Sequence, residues 1–387
     1  QLSSKSFDNV GAPSPADLLR GKVSGVQVTS QSGEPGAGSS IRIRGNSSIR
    51  SGNGPLIVVD GVPLDGGDVT AGGSDIGLGG SSARNPLNFI NQNDIESMTI
   101  LKDASSTAIY GSRGANGVVV ITTKKSKSKE PQLTYSNSFT FSSLASNLKL
   151  MNSSEFVANG GVNNGGSGYN WEKAVLRNAF STNHDVAFTK STENSSTRLS
   201  IGASNTEGIV KNTGLDKYTF SFNNSNDFFG GALKIDTKVN YSSLRDQSAL
   251  ISNSAGYIGN LIGAALYWNP TDKLYNTNGS YNVRPNGSTE DSNTFINPVQ
   301  LANAYTDYAN TSKLLASVKS TLKINDNLNY QFLFGIETSN STRKFQLDPT
   351  IRIQNVAEAS VPGSSTKKYG QAGIAGVEKF NKTFEHT

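Results

Sequence analysis

The sequence predicts a mainly β protein in which a small α+β domain (residues 1–130) is followed by long antiparallel strands (131–387). Three observations predict it. The 387 residues include 40 Gly, and only 35% are hydrophobic, which is typical of an all-β chain with many turns. Before residue 130, short apolar runs are separated by Gly-rich turns. After it, longer runs alternate apolar and polar residues with period two.

The first domain is predicted from helix and strand signals taken along the chain. A helix is expected near residues 14–17, with Leu18 and Leu19 on its apolar side. A second, brief helix is expected over residues 104–110. The strands are the short β-branched runs between Gly-rich turns, at residues 25–29, 40–44, 56–60, 95–101 and 118–123.

The long strands are predicted from strict alternation. In residues 132–144, one face carries Leu133, Tyr135, Phe139 and Phe141, and the other face is polar. The same pattern recurs at residues 232–241, 313–325 and 327–337, more weakly at 185–190, 196–205 and 217–226, and finally at 370–387. About eight such strands are therefore expected.

Alternation of this kind fits two folds. A soluble sandwich buries its apolar face, whereas a membrane barrel turns that face to lipid and its polar face to the lumen. Strands of about ten residues match a tilted bilayer span. Aromatic residues at strand ends (Phe228, Phe229, Tyr241), charged polar faces, and short connections alternating with long ones also favour the barrel.

Composition argues against several other classes. Cysteine is absent, which removes disulfides and Cys-ligated metals, and no apolar run approaches the length of a spanning helix. No leader peptide is recognisable at the N-terminus, so we expect it to be absent or removed. The net charge of +5 is scattered and lacks the basic stripe of nucleic-acid binding.

The sequence contains few residues that could form a catalytic or metal site. The two histidines, His184 and His386, are far apart in sequence, so a histidine-based zinc or triad site is not expected. Asp60, Asp65 and Asp68 lie in a Gly-rich turn that could bind calcium, although turn chemistry explains them equally well. No catalytic residue, metal or cofactor is predicted.

The motif GSRGANG (111–117) raises the question of a phosphate-binding loop. No Gly-Lys-Ser/Thr follows it, and the brief helix precedes the glycines, so this interpretation fails. A scaffold corner fits better. Gly111 and Gly114 could adopt positive φ in a sharp reversal, and Gly117 could allow tight packing, with Gly45 and Gly61 in similar turns.

Three segments carry a specific resemblance to a known family. Residues 18–49 (with IRIRG), 55–67 (VVDGVP) and 90–125 (DIES, LKDAS, YGSRGANGVV) resemble the plug domain of TonB-dependent outer-membrane transporters, in particular the SusC/RagA-like branch of Bacteroidota. Residues 261–279 and 295–305 are similar to the long extracellular loops of that family. The resemblance implies an outer-membrane protein of a Gram-negative bacterium, with a plug inside a barrel of about 22 strands.

The resemblance also implies a function. Such proteins import oligosaccharides or oligopeptides, with a SusD-like surface lipoprotein as lid, TonB as the energy-coupling partner and outer-membrane lipid around the barrel. No TonB-binding segment is recognisable in residues 1–12. Since eight strands are fewer than about 22, an alternative is an incomplete barrel bound as a client to the barrel-assembly machinery.

Candidate site residues follow from the plug-in-barrel arrangement. A plug in a wet lumen is expected to be held by polar contacts that can re-pair with water. The charged groups assigned to this lock are Arg42, Arg44, Asp60, Glu96, Lys102, Asp103 and Arg113, with Glu337 as a wall partner for the plug arginines. Tyr267 and Trp268 could stack on a ligand at the extracellular mouth, or anchor their loop.

Overall fold

The computed structural model describes the N-terminal domain and the long strands; the described residues are 2–3, 14–30, 32–45, 53–64, 84–250, 260–282, 297–348, 352–353, 368–369 and 372–386. Within them the chain forms two principal sheets and two short β-ribbons. Asp65 and Asp68 lie outside the described residues.

The small sheet belongs to the N-terminal domain and has the strand order β1-β6-β7-β4-β5. Its strands are β1 (Leu2–Ser3), β4 (Leu56–Val59), β5 (Val62–Pro63), β6 (Ile95–Leu101) and β7 (Val118–Thr123). A separate hairpin joins β2 (Val26–Ser30) to β3 (Ser39–Ile43). The strands expected here are all present, within one or two residues of their predicted ends.

The helices of this domain differ from the prediction in length and type. The first is one 3₁₀ turn, Asp17–Leu19, in which Leu18 and Leu19 are buried as expected. The second is α1 (Ala104–Thr107), which continues as a 3₁₀ helix (Ala108–Gly114). Gly111 lies inside that 3₁₀ segment with non-helical dihedral angles, because the chain reverses there.

The large sheet contains eight antiparallel strands in the order β17-β14-β13-β12-β11-β10-β9-β8. The strands are β8 (Gln132–Ser142), β9 (Ala179–Ser191), β10 (Ser195–Glu207), β11 (Gly214–Phe228), β12 (Leu233–Gln247), β13 (Tyr305–Asn325), β14 (Leu328–Leu347) and β17 (Ala372–His386). A two-residue pair, β15 (Arg352–Ile353) and β16 (Lys368–Tyr369), precedes β17. The predicted strands are confirmed, and most are longer than their sequence patterns.

The two faces of the large sheet differ as the alternation predicts. One face carries exposed apolar side chains, among them Leu133, Phe188, Phe220, Val318 and Phe384. The other packs against the N-terminal domain and buries polar side chains as well as Leu215, Leu244 and Leu315. We call these the outer face and the inner face.

The end of the apolar zone on the outer face reveals the strand tilt. That zone ends at Tyr218 in β11. The cross-strand partners at this level are Ser243 in β12, Ser312 in β13 and Asn340 in β14. In β14 the apolar zone ends at Ile336, four residues before Asn340. The boundary thus moves about 13 Å along the strands over about 14 Å across them, a tilt of roughly 40°, within the range of transmembrane barrels.

Connections between the long strands alternate in length from one end of the sheet to the other. One end has short turns, at 192–194, 229–232 and 326–327. The other end has longer connections, which contain α2 (Ser153–Ala158), α3 (Trp171–Val175), α4 (Leu261–Tyr267) and α5 (Pro298–Ala304). We call these the short-turn end and the long-loop end. Among the described residues, no helix is long and apolar enough to cross a membrane.

The described residues contain two clusters of buried apolar side chains. The first is the interior of the N-terminal domain and includes Val59, Met98 and Ile121, each fully buried. The second, the loop cluster, joins α3, α4 and α5 at the long-loop end around Trp171 and Trp268, whose ring centroids are 5.4 Å apart. Trp171 Nε1 also donates to the Asn269 carbonyl at 3.0 Å, which satisfies its buried N–H.

Candidate functional site at the inner face

The contact between the N-terminal domain and the inner face is largely polar. Side chains of the small domain reach strands β9 to β13, where most partners are charged groups, amides and hydroxyls, and Val62 packs against Gly335 of β14. Three groups of contacts carry it, centred on Asp94, Asp60 and Arg84. They join the domain to the strands from the short-turn end to the long-loop end.

The first group is centred on Asp94. A 3₁₀ turn, Gln92–Asp94, is capped by the Asn91 side chain, which accepts from Asn93 N at 3.0 Å. The turn delivers Asp94 to the inner face, where it accepts from Arg198 Nη2 at 2.8 Å and Ser200 Oγ at 2.7 Å. Both members of this ion pair are largely buried, at 4% and 12% side-chain exposure. Removing one partner would therefore strand a buried charge.

Amides extend this group to Asp185 of β9. Asn91 and Asn93 both donate to its carboxylate, and Asn91 also donates to Thr219 Oγ1 at 3.3 Å. The wall opens a space for them at Gly202, where an added Cβ would lie 2.5 Å from Asn91 Nδ2 and 2.6 Å from Asp185 Oδ1. Glycine is needed here for close approach between the domain and the wall.

The second group is centred on Asp60, in the tight Asp60–Gly61 turn between β4 and β5. Both residues have positive φ, 53° and 90°, as a two-residue hairpin turn of this hand requires. Asp60 accepts from Thr123 N at 3.0 Å and Thr123 Oγ1 at 2.7 Å, and pairs with Lys238 of β12. Nearby, Lys125 pairs with Asp236 at 2.9 Å.

The third group lies at the long-loop end. Arg84 is buried between Asp246 of β12, at 3.3 Å, and Glu34 of its own domain, at 3.7 Å, and it donates to Ser248. Glu34 also accepts from Ala249 N at 3.2 Å. Burial raises the pKa of the Glu34 carboxyl above its usual value, against the opposing effect of Arg84.

A cation of the wall also faces the small domain from β13. Lys313 is 1% exposed, pairs with Glu337 of β14 at 2.7 Å, and lies 4.3 Å from the centroid of the Phe89 ring. Glu337 therefore pairs with a lysine of a neighbouring strand. Its partnership with the arginines of the small domain stays a prediction.

The predicted lock residues divide into two sets. Asp60 contacts the wall. The others with described contacts pair within the N-terminal domain or its connection to β8: Arg44 with Asp103 at 2.6 Å, Lys102 with the Ser24 carbonyl, and Glu96 with Lys127 at 2.6 Å. Arg42 lies half-buried on β3, and Arg113 is exposed in the 3₁₀ helix. Arg44, Lys102 and Glu96 therefore have local partners.

The predicted glycine turns hold at four positions, since Gly45, Gly61, Gly111 and Gly117 all have positive φ. Gly114 is the correction, because it lies in the 3₁₀ helix without positive φ. A Cβ there would lie 2.9 Å from the Thr107 carbonyl oxygen, so close approach is its reason. At Gly117 a Cβ would lie 2.7 Å from Ile43 Cδ1, as tight packing predicts.

The two loop aromatics are in different environments. Tyr267 is 66% exposed at the end of α4, whereas Trp268 is 5% exposed and packs in the loop cluster. Trp268 therefore anchors its loop, which is the second of the two roles predicted for it. Among the described residues, no group of three or more His, Cys, Asp or Glu could hold a metal ion.

Sequence reasoning missed most wall residues. Arg198, Asp185 and Asp246 stand on faces whose alternation was weak or extended past the predicted strand. Lys238 was visible on the polar face of residues 232–241, but nothing local paired it with Asp60. Asp94 was part of the DIES motif without an assigned contact.

The comparisons with known proteins agree with this architecture. Residues 1–118 match the TonB-dependent Receptor Plug Domain family. TonB-dependent receptor SusC of Bacteroides thetaiotaomicron is 35% identical over 274 residues, which are 68% of this chain and 26% of the relative. TonB-dependent receptor P26 of Formosa agariphila is 39% identical over 293 residues, 71% of this chain and 27% of the relative.

Residues 1–118 are therefore a TonB-dependent receptor plug domain, and the chain as a whole is SusC/RagA-like. The chain spans only about a quarter of these two relatives. Among solved structures, the RagAB peptide importer in its closed-closed state has a TM-score of 0.76 at 22% identity, covering 99% of this chain and 44% of that one. The ferric citrate transporter FecA has a TM-score of 0.54 at 11% identity, over 90% and 40% of the two chains. These likenesses show the fold.

In the terms of this family, the N-terminal domain is the plug and the large sheet is part of the barrel wall. The outer face, with its exposed apolar side chains, is the face that such barrels turn to lipid. The inner face holds the plug through the three polar groups described above. We use plug and wall in this sense below.

Proposed function

We propose that this chain forms the plug and the first part of the barrel of a nutrient importer in the outer membrane of a Gram-negative, Bacteroidota-like bacterium. The observation that carries the proposal is the buried polar contact between plug and wall. The plug–barrel boundary is placed at about residue 130, after the last strand of the plug.

In this proposal a SusD-like surface lipoprotein covers the long-loop end and captures an oligosaccharide or oligopeptide. TonB pulls on the plug from the short-turn side. Asp94 and Asp60 then separate from Arg198 and Lys238, and all four groups can be solvated by water in the lumen. Polar contacts suit a reversible seal because water can replace each partner. No covalent bond is made or broken.

The remaining predicted lock residues have a different role in this proposal. The pairs Arg44–Asp103 and Lys127–Glu96 lie within the plug and its connection to β8, so they do not have to break when the plug moves. The role of Arg42 and Arg113 in the lock stays a prediction. The alternative function, a client bound to the barrel-assembly machinery, is not favoured, since the relatives found are receptors.

A reversible cross-link tests the proposal, since the chain has no cysteine. In the intact transporter, Asp94→Cys with Arg198→Cys is joined by a short, reducible bifunctional reagent. Uptake of a labelled oligosaccharide and oligopeptide pool should stop when the link forms and return on reduction. The same double variant before cross-linking is the baseline.

Arg44→Cys with Asp103→Cys is the matched control, because it joins two positions within the plug. Its uptake should survive cross-linking. Uptake that continues with the 94–198 link complete would refute plug release from this wall. Affinity purification from outer membranes should recover a lid lipoprotein in near-equal amount, and recovery of the assembly machinery alone would favour the client function.

A further inference from the structure

The outer face of β12, β13 and β14 changes character above the apolar zone. Towards the short-turn end it is apolar, through residues such as Val239, Leu322 and Phe332. Towards the long-loop end it becomes polar. The outward residues there are Ser243, Arg245, Gln247, Thr306, Tyr308, Asn310, Ser312, Thr338, Asn340, Thr342, Lys344 and Gln346.

This polar part of the outer face contains two cations and no carboxylate among its described residues on the three strands. Asp246, Asp307 and Glu337 belong to the same strands but point inward and are buried. Arg245 lies over the Tyr308 ring at 4.8 Å from its centroid, and Lys344 is the cross-strand partner of Tyr308. Arg245 and Lys344 are both exposed.

The neighbouring strands differ. On β11, Asp216 is the cross-strand partner of Arg245 and accepts from Asn205 Nδ2 at 2.6 Å. Glu207 ends β10 on the same side. The cationic character therefore ends at β12 on the side of β11, and hydroxyls and amides surround the two cations on β12–β14.

We propose that this surface binds the phosphorylated sugar headgroup of an outer-leaflet glycolipid whose acyl chains lie on the apolar zone below. The inference rests on the proposed outer-membrane location. Continuity supports it, because acyl chains that cover the apolar zone must end where that zone ends. At the tilt above, Arg245 stands about 10 Å above Tyr241, the last apolar outward residue of β12.

Chemistry supports the same occupant. Arginine and lysine bind phosphate oxygens, the guanidinium with two parallel hydrogen bonds. Stacking on Tyr308 fixes the orientation of Arg245. The surrounding Ser, Thr, Asn and Gln side chains offer both donors and acceptors to sugar hydroxyls.

The test uses the intact protein purified from membranes in detergent, with bound lipid counted by native mass spectrometry. The probes are a bisphosphorylated, acylated glucosamine disaccharide, the same lipid without phosphates, and inorganic phosphate. Wild type should prefer the phosphorylated lipid. R245Q/K344Q should bind it about 30-fold more weakly, since each of the two cations near a charged headgroup contributes about 1 kcal/mol, and R245K/K344R should retain most binding.

K190Q/K323Q is the matched control, because it removes two cations at the short-turn end. It should bind like wild type. Equal affinity for the dephosphorylated lipid, an unchanged R245Q/K344Q variant, or inorganic phosphate that competes as well as the lipid would each overturn the proposal. Loss of a co-purifying protein instead of lipid would assign the surface to that protein and overturn it too.

The membrane location of the protein is measured in a separate experiment. Recovery of the wild-type protein outside the outer-membrane fraction would refute the proposed function, whereas the lipid titration is made on purified protein and reports on the surface alone. The two failures are thus distinguishable.

Discussion

The plug holds itself together and holds to the wall by different physics. Its interior is dry and apolar, with Val59, Met98 and Ile121 fully buried. Its contact with the wall relies on ion pairs and amides. Among the described wall residues, Leu215, Leu244 and Leu315 join the apolar cluster, and Gly335 lies against Val62. Water cannot replace the free energy gained by burying apolar surface, but it can take the place of a polar partner. A plug built this way can detach without losing its own fold.

The largest expected effect comes from the plug interior. Ile121→Ala should lower the free energy of unfolding of the plug by about 4 kcal/mol, because it leaves a cavity in a packed core. Native-state hydrogen exchange of plug amides in the intact protein measures it. Ile109→Ala is the control, since Ile109 is 76% exposed, and an equal loss there would contradict the packing argument.

A smaller loss, about 3 kcal/mol, is expected for Asp94→Ala, which leaves Arg198 buried without its carboxylate. The loss should appear in plug detachment rather than in plug unfolding. It is measured by the protection of plug amides that face the wall. If Asp94→Ala lowered the free energy of unfolding of the whole plug as much as Ile121→Ala does, the plug interior and its contact with the wall would not be separate sources of stability.

Gly202→Val tests the close approach at the wall. Its added carbons would displace Asn91 and Asp185, and overpacking of this kind costs about 2 kcal/mol. Detachment should again be the affected step. Gly33→Ala is the control, since an added Cβ at Gly33 meets nothing within 4 Å. A tolerated valine at residue 202 would show that the wall has more room than the contacts indicate.

Glu34→Gln should change the pH dependence of plug attachment. Burial raises the Glu34 pKa in the folded protein above the usual 4.5. The proton is therefore held more tightly in the attached state, and attachment should weaken as pH rises from about 4.5 through the raised pKa. The glutamine variant should lack this decline, and the difference between the two proteins across pH 4 to about 8 measures it. Identical profiles would contradict the burial effect.

The smallest effect is expected for Asp103→Ala. Its pair with Arg44 is exposed, with side-chain exposures of 72% and 61%. Exposed pairs contribute about 0.5 kcal/mol and are screened by salt. Thermal unfolding at low and high salt should barely differ from wild type. A loss above about 2 kcal/mol would mean that this pair acts as more than a surface contact.

The fold was largely predictable because alternation is a local property. Residues 232–241 alone place Lys238 and Asn240 on the face opposite Val239 and Tyr241, and the structure agrees. Strand ends were less predictable, since β13 and β14 continue past the apolar zone as polar strands that resemble loops in sequence. The helices α2 and α3 were missed because each is short and capped by an asparagine within a polar segment.

The site was much less predictable. Charged motif residues such as Arg44 and Lys102 were visible, but their partners are set by which turn faces which strand. Asp94 meets Arg198 across 104 positions of sequence, and no local pattern specifies such a pairing. Trp268 shows the same limit, because its burial depends on Trp171 in a separate connection.

A double-mutant cycle on Asp94 and Arg198 tests the central claim most directly. The free energy of plug detachment is measured by hydrogen exchange for wild type, D94N, R198Q and D94N/R198Q in the intact protein. We predict a coupling energy of at least about 1.5 kcal/mol, with the unfolding free energy of the plug interior unchanged in all four. Zero coupling, or coupling expressed only as loss of the plug's own stability, would contradict a plug that a polar seal holds to its wall.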